Sequence, residues 1–253
     1  MGTLSAVSLP GLPEIAPGED LAALIAAAAE RAGEPLTDAT VIAVAHKAVS
    51  KAEGAVIALS SVTAGDRARG LAVSHGKDAR VMQVVLDESA EILRAERGVL
   101  ICRTHHGFVC ANAGVDHSNV AAPDTLVLLP RDPDASARRL RARLNDLTGT
   151  SPAVLVSDSF GRAWRHGQCD VALGAAGLAP LQDWRGRRDS AGRELHATWL
   201  AVADAAAAAS DLARAKDSRE PVVLIRGLER HITADDGPGA AVLLRPLDED
   251  LFR

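Results

Sequence analysis

Four short apolar runs punctuate an otherwise mixed chain: TVIAVA at 40–45, VLICR at 99–103, PAVLVS at 152–157 and VVLI at 222–225. Each is too short for a typical helix and apolar nearly throughout, which predicts buried strands. Elsewhere the apolar positions recur at helical spacing. Leu21, Leu24, Ile25 and Ala28 share one face after the turn Pro17-Gly18-Glu19-Asp20, and Gly33 supplies a stop signal. Residues 66–72, 78–96, 136–147 and 196–213 predict further helices, with Val81, Val84, Val85, Ser89, Ile92 and Leu93 as the stripe of the second and Ser136 as the N-cap of the third. Residues 107–111, 124–129 and 242–245 predict short strands, the first folding back on 99–103 through Thr104-His105-His106-Gly107. The opening LPGLPEI at 9–15 predicts a rigid extended turn. Strands and helices alternate irregularly, so the expected class is α+β, with mixed sheets and flanking helices. With no internal repeat or long linker, residues 1–253 are expected to form one unit, leaving room for two interleaved lobes within it.

Composition narrows the picture. Aromatic residues make up only 2% of the chain and Tyr is absent, so alanine-rich helices and Val, Leu and Ile strands must supply the core. A net charge of -5 argues against nucleic-acid binding as the main function, since a large phosphate-binding face must be basic, and leaves room for a local basic pocket. The densest basic run, Arg138, Arg139, Arg141 and Arg143, shares its helix with the stripe Leu140, Leu144 and Leu147 and is expected to be a solvated face. Cys102, Cys110 and Cys169 lack CxxC spacing, and residues 1–8 lack the pattern of an export signal. Reduced thiols and a cytoplasmic location are the expectation, with Cys110 packed in a strand. No apolar run is long enough to predict a membrane span.

Chemistry concentrates at two corners. RTHHGFVCANAGVDHSNV at 103–120 and SDSFGRAWRHG at 157–167 each lead from an apolar approach into a turn holding an aspartate, Asp116 and Asp158. Carboxylates beside glycines suit Mg²⁺ or Mn²⁺ holding a phosphate, although local turn preferences account for either stretch equally well. The strand at 40–45 delivers His46, Lys47 and Lys51, cations suited to phosphate, with a surface turn as the competing reading. Arg162, Arg165 and His166 form a loop suited to an anionic substrate. His105 and His106 point to opposite faces of a strand and cannot easily share a metal. Asp204, inside an alanine-rich helix, faces either solvent or the site.

Several motifs occur together and in order: LPGLPEI, KAVSKAEG, HHGFVCANAGVDHSNV, SDSFGRAWRHGQCDVALGAAG, DWRGRRDSAGREL and PVVLIRGL. The chain thereby resembles the coenzyme F420-0:L-glutamate ligase family over essentially its whole length. That resemblance implies a GTP-dependent peptide ligase adding L-glutamate to the lactyl carboxylate of F420-0, with further γ-linked additions. It also implies Mg²⁺ or Mn²⁺, K⁺ as activator, and an intertwined homodimer. By position, Asp116, Asp158 and Ser159 match metal-binding residues. Pro10, Gly11, Leu12, Pro13, Ala45, His46, Lys51 and Asn119 match nucleotide contacts, and the segment holding Lys216 and Ser218 matches a further nucleotide-binding loop. There the sequence departs, with KDSREP where relatives often carry glycines. Lys51, with Arg162, Arg165 or His166, would bind phosphate or substrate carboxylates. Transfer of the GTP γ-phosphoryl group would give an acyl phosphate, and His166 and Asp204 are candidate bases for the attacking amine. Two other readings remain: a ligase joining a different amino acid to a related hydroxy-acid coenzyme, and a non-catalytic GTP-binding regulatory protein.

Overall fold

The computed structural model describes residues 2–117 and 124–250. In chain order these are β1 (Ser5–Ser8), α1 (Leu21–Ala32), β2 (Val41–Ala45), α2 (His46–Ala52), β3 (Val56–Ala58), α3 (Asp66–His75), α4 (Ala79–Asp87), β4 (Ser89–Glu96), β5 (Val99–Thr104) and β6 (Val109–Ala111). There follow β7 (Thr125–Val127), α5 (Pro133–Thr148), β8 (Ala153–Arg162), β9 (Arg165–Ala176), β10 (Leu181–Asp183), β11 (Trp199–Ala201), α6 (Val202–Ala213) and β12 (Val222–Arg226).

The main sheet has the order β1-β12-β2-β8-β9. Only β2 and β8 run parallel, with Val41 opposite Ala153 and Ala45 opposite Ser157; the other pairings are antiparallel. Strand alternation divides its apolar residues between two faces. Ile42, Val44, Val154, Val156, Val222 and Leu224 face α1 and α5, packing on Leu21, Ile25, Leu140 and Leu144. Val41, Ala43, Leu155, Val223 and Ile225 face the other way, onto Ala203, Ala206 and Ala207 of α6. The central strands are buried on both sides, hence their continuous apolar runs. A third cluster joins α3 and α4 to the three-stranded sheet β4-β5-β6 and to β7 through Ala68, Ala72, Met82, Val85, Leu100, Cys102 and Leu126. The α+β class is as expected, with mixed sheets and flanking helices.

Several boundaries differ from the sequence pattern. The helix expected over 78–96 ends at Asp87, and Ser89–Glu96 is a strand paired with β5. The apolar spacing runs on past Glu88 through Ile92 and Leu93, but there the chain pairs with β5 instead of continuing the helix. The helix expected from Ser136 begins earlier, because Asp132 is its N-cap and accepts from the Ala135 N–H at 2.9 Å. The helix expected over 196–213 starts only at Val202, after β11. Residues 240–243 form a short 3₁₀ turn instead of a strand. Residues 160–168 are no loop: β8 and β9 continue as a long hairpin that turns at Ala163-Trp164. The basic run on α5 is not wholly solvated either. Arg141 is buried and donates to Asp236 at 2.8 Å, while Arg139 and Arg143 pair with Glu53 and Asp20.

The cysteines are unpaired. Burial, with a smaller contribution from the negative charge of Asp158, pushes the Cys110 thiol up to about 12, consistent with a packing role. No helix among the described residues is long and apolar enough to cross a membrane.

Candidate active site

The parallel pair β2 and β8 ends on one side of the main sheet, where ligands commonly bind α/β sheets. A cavity of about 550 Å³ opens there. Its walls are the proline turn at 12–15, the β2-to-α2 junction, the end of β8 with Asp170 of β9, and the segment 214–221. Lys47, Lys51, Arg214, Lys216 and Arg219 all line it, so a chain of net negative charge gathers cations at this point.

Strand β2 passes directly into α2 at Ala45, so the first residues of the helix are carried to the strand tips. His46 is buried with Nε2 3.4 Å from Asp158 Oδ1, yet this nitrogen makes no hydrogen bond among the described residues. Its neighbour Lys47 holds Nζ 2.5 Å from Asp116 Oδ2. Two consecutive helix residues therefore reach the two aspartate corners. One turn on, Lys51 lies 2.5 Å from Glu14 Oε1, tying the helix to the proline turn. Asp116 is held in place by mutual backbone hydrogen bonds with Val127, and Asp158 Oδ1 accepts the Ser159 N–H at 2.8 Å.

Asp170, fully buried on β9, lies opposite Ser159 in the hairpin register. It accepts from Ser157 Oγ at 2.9 Å, Ser159 Oγ at 2.6 Å and Arg214 Nη2 at 2.6 Å. Sequence reading passed over this residue within the small-residue run DVALGAAG. Its signal was a lone carboxylate inside an apolar strand, which must find partners once buried.

Residues 11–227 match the family model described as F420-0:Gamma-glutamyl ligase. The chain belongs to this family. It is 43% identical over 252 residues to a coenzyme F420:L-glutamate ligase of Methanothermobacter thermautotrophicus, covering 99% of both chains. It is 42% identical over 258 residues to the enzyme of that name from Methanopyrus kandleri, covering 100% of both. The corresponding protein of Methanocaldococcus jannaschii is 40% identical over 220 residues, 87% of this chain and 86% of its own.

The residues singled out in the sequence are distributed as follows. Leu12, Pro13, Ala45, His46, Lys51, Asp158, Ser159 and Lys216 line the cavity. Pro10 and Gly11 belong to the same turn but not to the wall, and the Gly11 carbonyl accepts from Arg31 at 3.1 Å. Ser218 turns its hydroxyl back to the Ala215 carbonyl at 3.0 Å. Asn119 lies outside the described residues. Arg162, Arg165 and His166 sit exposed near the hairpin tip and do not line the cavity; Arg162 donates to the His166 carbonyl at 2.7 Å. Asp204 is partly buried and does not line the cavity. It accepts the Ala172 N–H at 2.9 Å, beside a register shift in the β8–β9 ladder, and burial raises its carboxyl above the ordinary range. His105 and His106 reach the carbonyls of Asp87 and Pro130, away from the cavity wall.

Mg²⁺ and Mn²⁺ commonly use one or two carboxylates and complete their shells with water and phosphate oxygens. The Asp158 carboxylate and Ser159 hydroxyl offer such donors at the cavity wall, with the Asp116 carboxylate reached through the adjacent Lys47. Among the described residues no group of three or more His, Cys, Asp or Glu side chains is arranged to hold a metal. Asp158 and Ser159 are oxygen donors of the kind such a cation accepts.

Proposed function

We propose that this protein joins L-glutamate to coenzyme F420-0 with cleavage of GTP to GDP and inorganic phosphate, using Mg²⁺ or Mn²⁺ and K⁺, as a homodimer. Membership of the ligase family supports the reaction class, and relatives matching the chain end to end carry the glutamate ligase name. The observation that carries the site is the meeting of Lys47, Lys51, Arg214, Lys216 and Arg219 with Asp158 and Ser159 in one cavity.

The chemistry follows from what an amide bond requires. A carboxylate is unreactive toward an amine until one of its oxygens becomes a leaving group. The lactyl carboxylate of F420-0 attacks the γ-phosphorus of GTP, the bond to the β-phosphate oxygen breaks, and GDP leaves. The product is an acyl phosphate. The neutral amine of glutamate then attacks its carbonyl carbon; the amide forms, inorganic phosphate departs and the amine gives up a proton.

In this scheme Lys51 and Lys216 hold phosphate oxygens as point charges, and Lys51 exchanges its contact with Glu14 for one with the nucleotide. Asp158 and Ser159, with Asp116, would hold the divalent cation, which neutralises charge on phosphate oxygens when bound. Cavity walls from four separate segments keep the reacting groups together and limit hydrolysis of the acyl phosphate. A repeated cycle on the new γ-carboxylate would add further glutamates.

Continuous measurement of GDP release tests the proposal. Release should require F420-0, L-glutamate and a divalent cation together, and other amino acids should not replace glutamate. Equal release with a different amino acid would favour the alternative ligase reading, and GTP binding with no turnover would favour the regulatory one.

A further inference from the structure

The Asp170 carboxylate joins two walls of the cavity, and its partners fall on both its oxygens. Oδ1 takes the Ser159 hydroxyl at 2.6 Å and lies 3.8 Å from Lys216 Nζ. Oδ2 takes the Ser157 hydroxyl and Arg214 Nη2. The side chain has no exposure, and that of Arg214 has only 10%. Removing one partner of such a buried pair leaves the other charge uncompensated.

Each contact has a consequence at the cavity. A serine hydroxyl has one proton and two lone pairs. The Ser159 hydroxyl donates its proton to Asp170 and accepts from Lys216 Nζ at 2.6 Å. The hydroxyl is thus locked, with its one proton and one lone pair already engaged. Arg214, meanwhile, donates through Nη1 to the Pro221 carbonyl at 3.1 Å, so one guanidinium ties both ends of the segment 214–221. The Pro221 carbonyl also accepts the Ala45 N–H at 2.8 Å, at the end of β2. The segment has neither helix nor strand to shape it. A buried carboxylate on the neighbouring strand supplies the missing anchor.

We propose that Asp170 is a positioning residue for the nucleotide side of the reaction. It fixes the Ser159 hydroxyl directly, and through Arg214 and Lys216 it fixes the segment 214–221 as the cavity wall. The role explains how KDSREP can form an ordered wall without the glycines expected there. This inference rests on the GTP-dependent ligase reading for its kinetic consequence, but not for its structural one.

The experiment compares wild type with Asp170→Asn. The amide keeps one acceptor and turns a donor group toward hydroxyls or cations. With F420-0 and glutamate saturating, the KM for GTP should rise at least tenfold and kcat should fall at least tenfold, while the KM for F420-0 changes less than twofold. A merely structural role would reduce the amount of active protein, lowering apparent kcat and leaving every KM unchanged. Hydrogen exchange of the 215–220 amides, measured without ligands, should quicken at least tenfold. An unchanged KM for GTP together with unchanged exchange overturns the proposal.

If Asp170→Asn does not fold, Arg214→Lys serves instead. It keeps the charge but loses the fork shared between Asp170 and Pro221, and should quicken exchange in the same segment; unchanged exchange there would also overturn the proposal. Wild-type protein that releases no GDP would sink the ligase reading, whereas the exchange experiment would still decide the anchoring role.

Discussion

Lys47 Nζ lies 2.5 Å from Asp116 Oδ2, joining helix α2 to the corner that pairs with Val127 of β7. The two side chains are 21% and 39% exposed. A pair this open contributes only about 0–1 kcal/mol to stability. A role for Asp116 should therefore be visible in activity far more than in folding. Asp116→Asn is expected to reduce GDP release about 100-fold or more with a melting temperature within a few degrees of wild type, as read by parallel kinetics and thermal denaturation. Near-normal turnover would remove Asp116 from the site.

Lys51 and Glu14 make a second such contact, with Glu14 59% exposed. If Lys51 holds phosphate, Glu14 is only its resting partner. Lys51→Met should raise the KM for GTP about tenfold or more, an effect of roughly 1.4 kcal/mol or greater, whereas Glu14→Gln should leave it within about threefold. Steady-state kinetics on both variants separates the two roles. Equal effects would mean that the ion pair acts as a structural unit.

Asp204 supplies a prediction in pH. Burial raises its carboxyl in the folded protein, so folding disfavours the ionised form. The cost is absent below the unfolded value of 3.8 and complete above the raised folded value. Asp204→Asn is never ionised, so its melting temperature should gain on wild type at neutral pH, and the gain should shrink as the medium is acidified toward pH 4. Because Asp204 does not line the cavity, kcat should stay within about twofold of wild type. A large loss of kcat in folded variant would return Asp204 to the catalytic machinery.

Gly174 tests how the sheet supports helix α5. A Cβ at this position would overlap the backbone of Pro133, at the first turn of that helix. Backbone cannot move aside as a flexible side chain does. Gly174→Ala should destabilise the protein by about 1–3 kcal/mol or more, measured by urea denaturation.

The parts of the fold legible in the sequence are those whose pattern admits one reading. The runs feeding β2, β8 and β12 are buried on both faces, and their apolar continuity reports this directly. Helix α1 is bounded by Asp20, whose side chain caps it, and by Gly33 at φ 67°. Strand β4 was misread because it is only partly buried and continues the apolar spacing of α4 beyond Glu88. Its pairing with β5 is a tertiary choice that local spacing does not encode. At the site, Lys51, Asp158 and Ser159 were marked by their position after apolar strands. Asp170 and Arg214 were not, since their importance comes from meeting across β9 and the segment after α6. The arginines at 162 and 165 looked like part of the same corner, but the hairpin carries them along β8 and β9 to its exposed end.

Mass spectrometry of F420-0 after incubation with the protein, GTP, Mg²⁺ or Mn²⁺, K⁺ and L-glutamate tests the central claim most directly. The expected product carries one or more glutamyl residues, appears with GDP, and is abolished in folded Asp158→Asn. Unmodified F420-0 in the wild-type reaction, or full product formation by Asp158→Asn, would contradict the account.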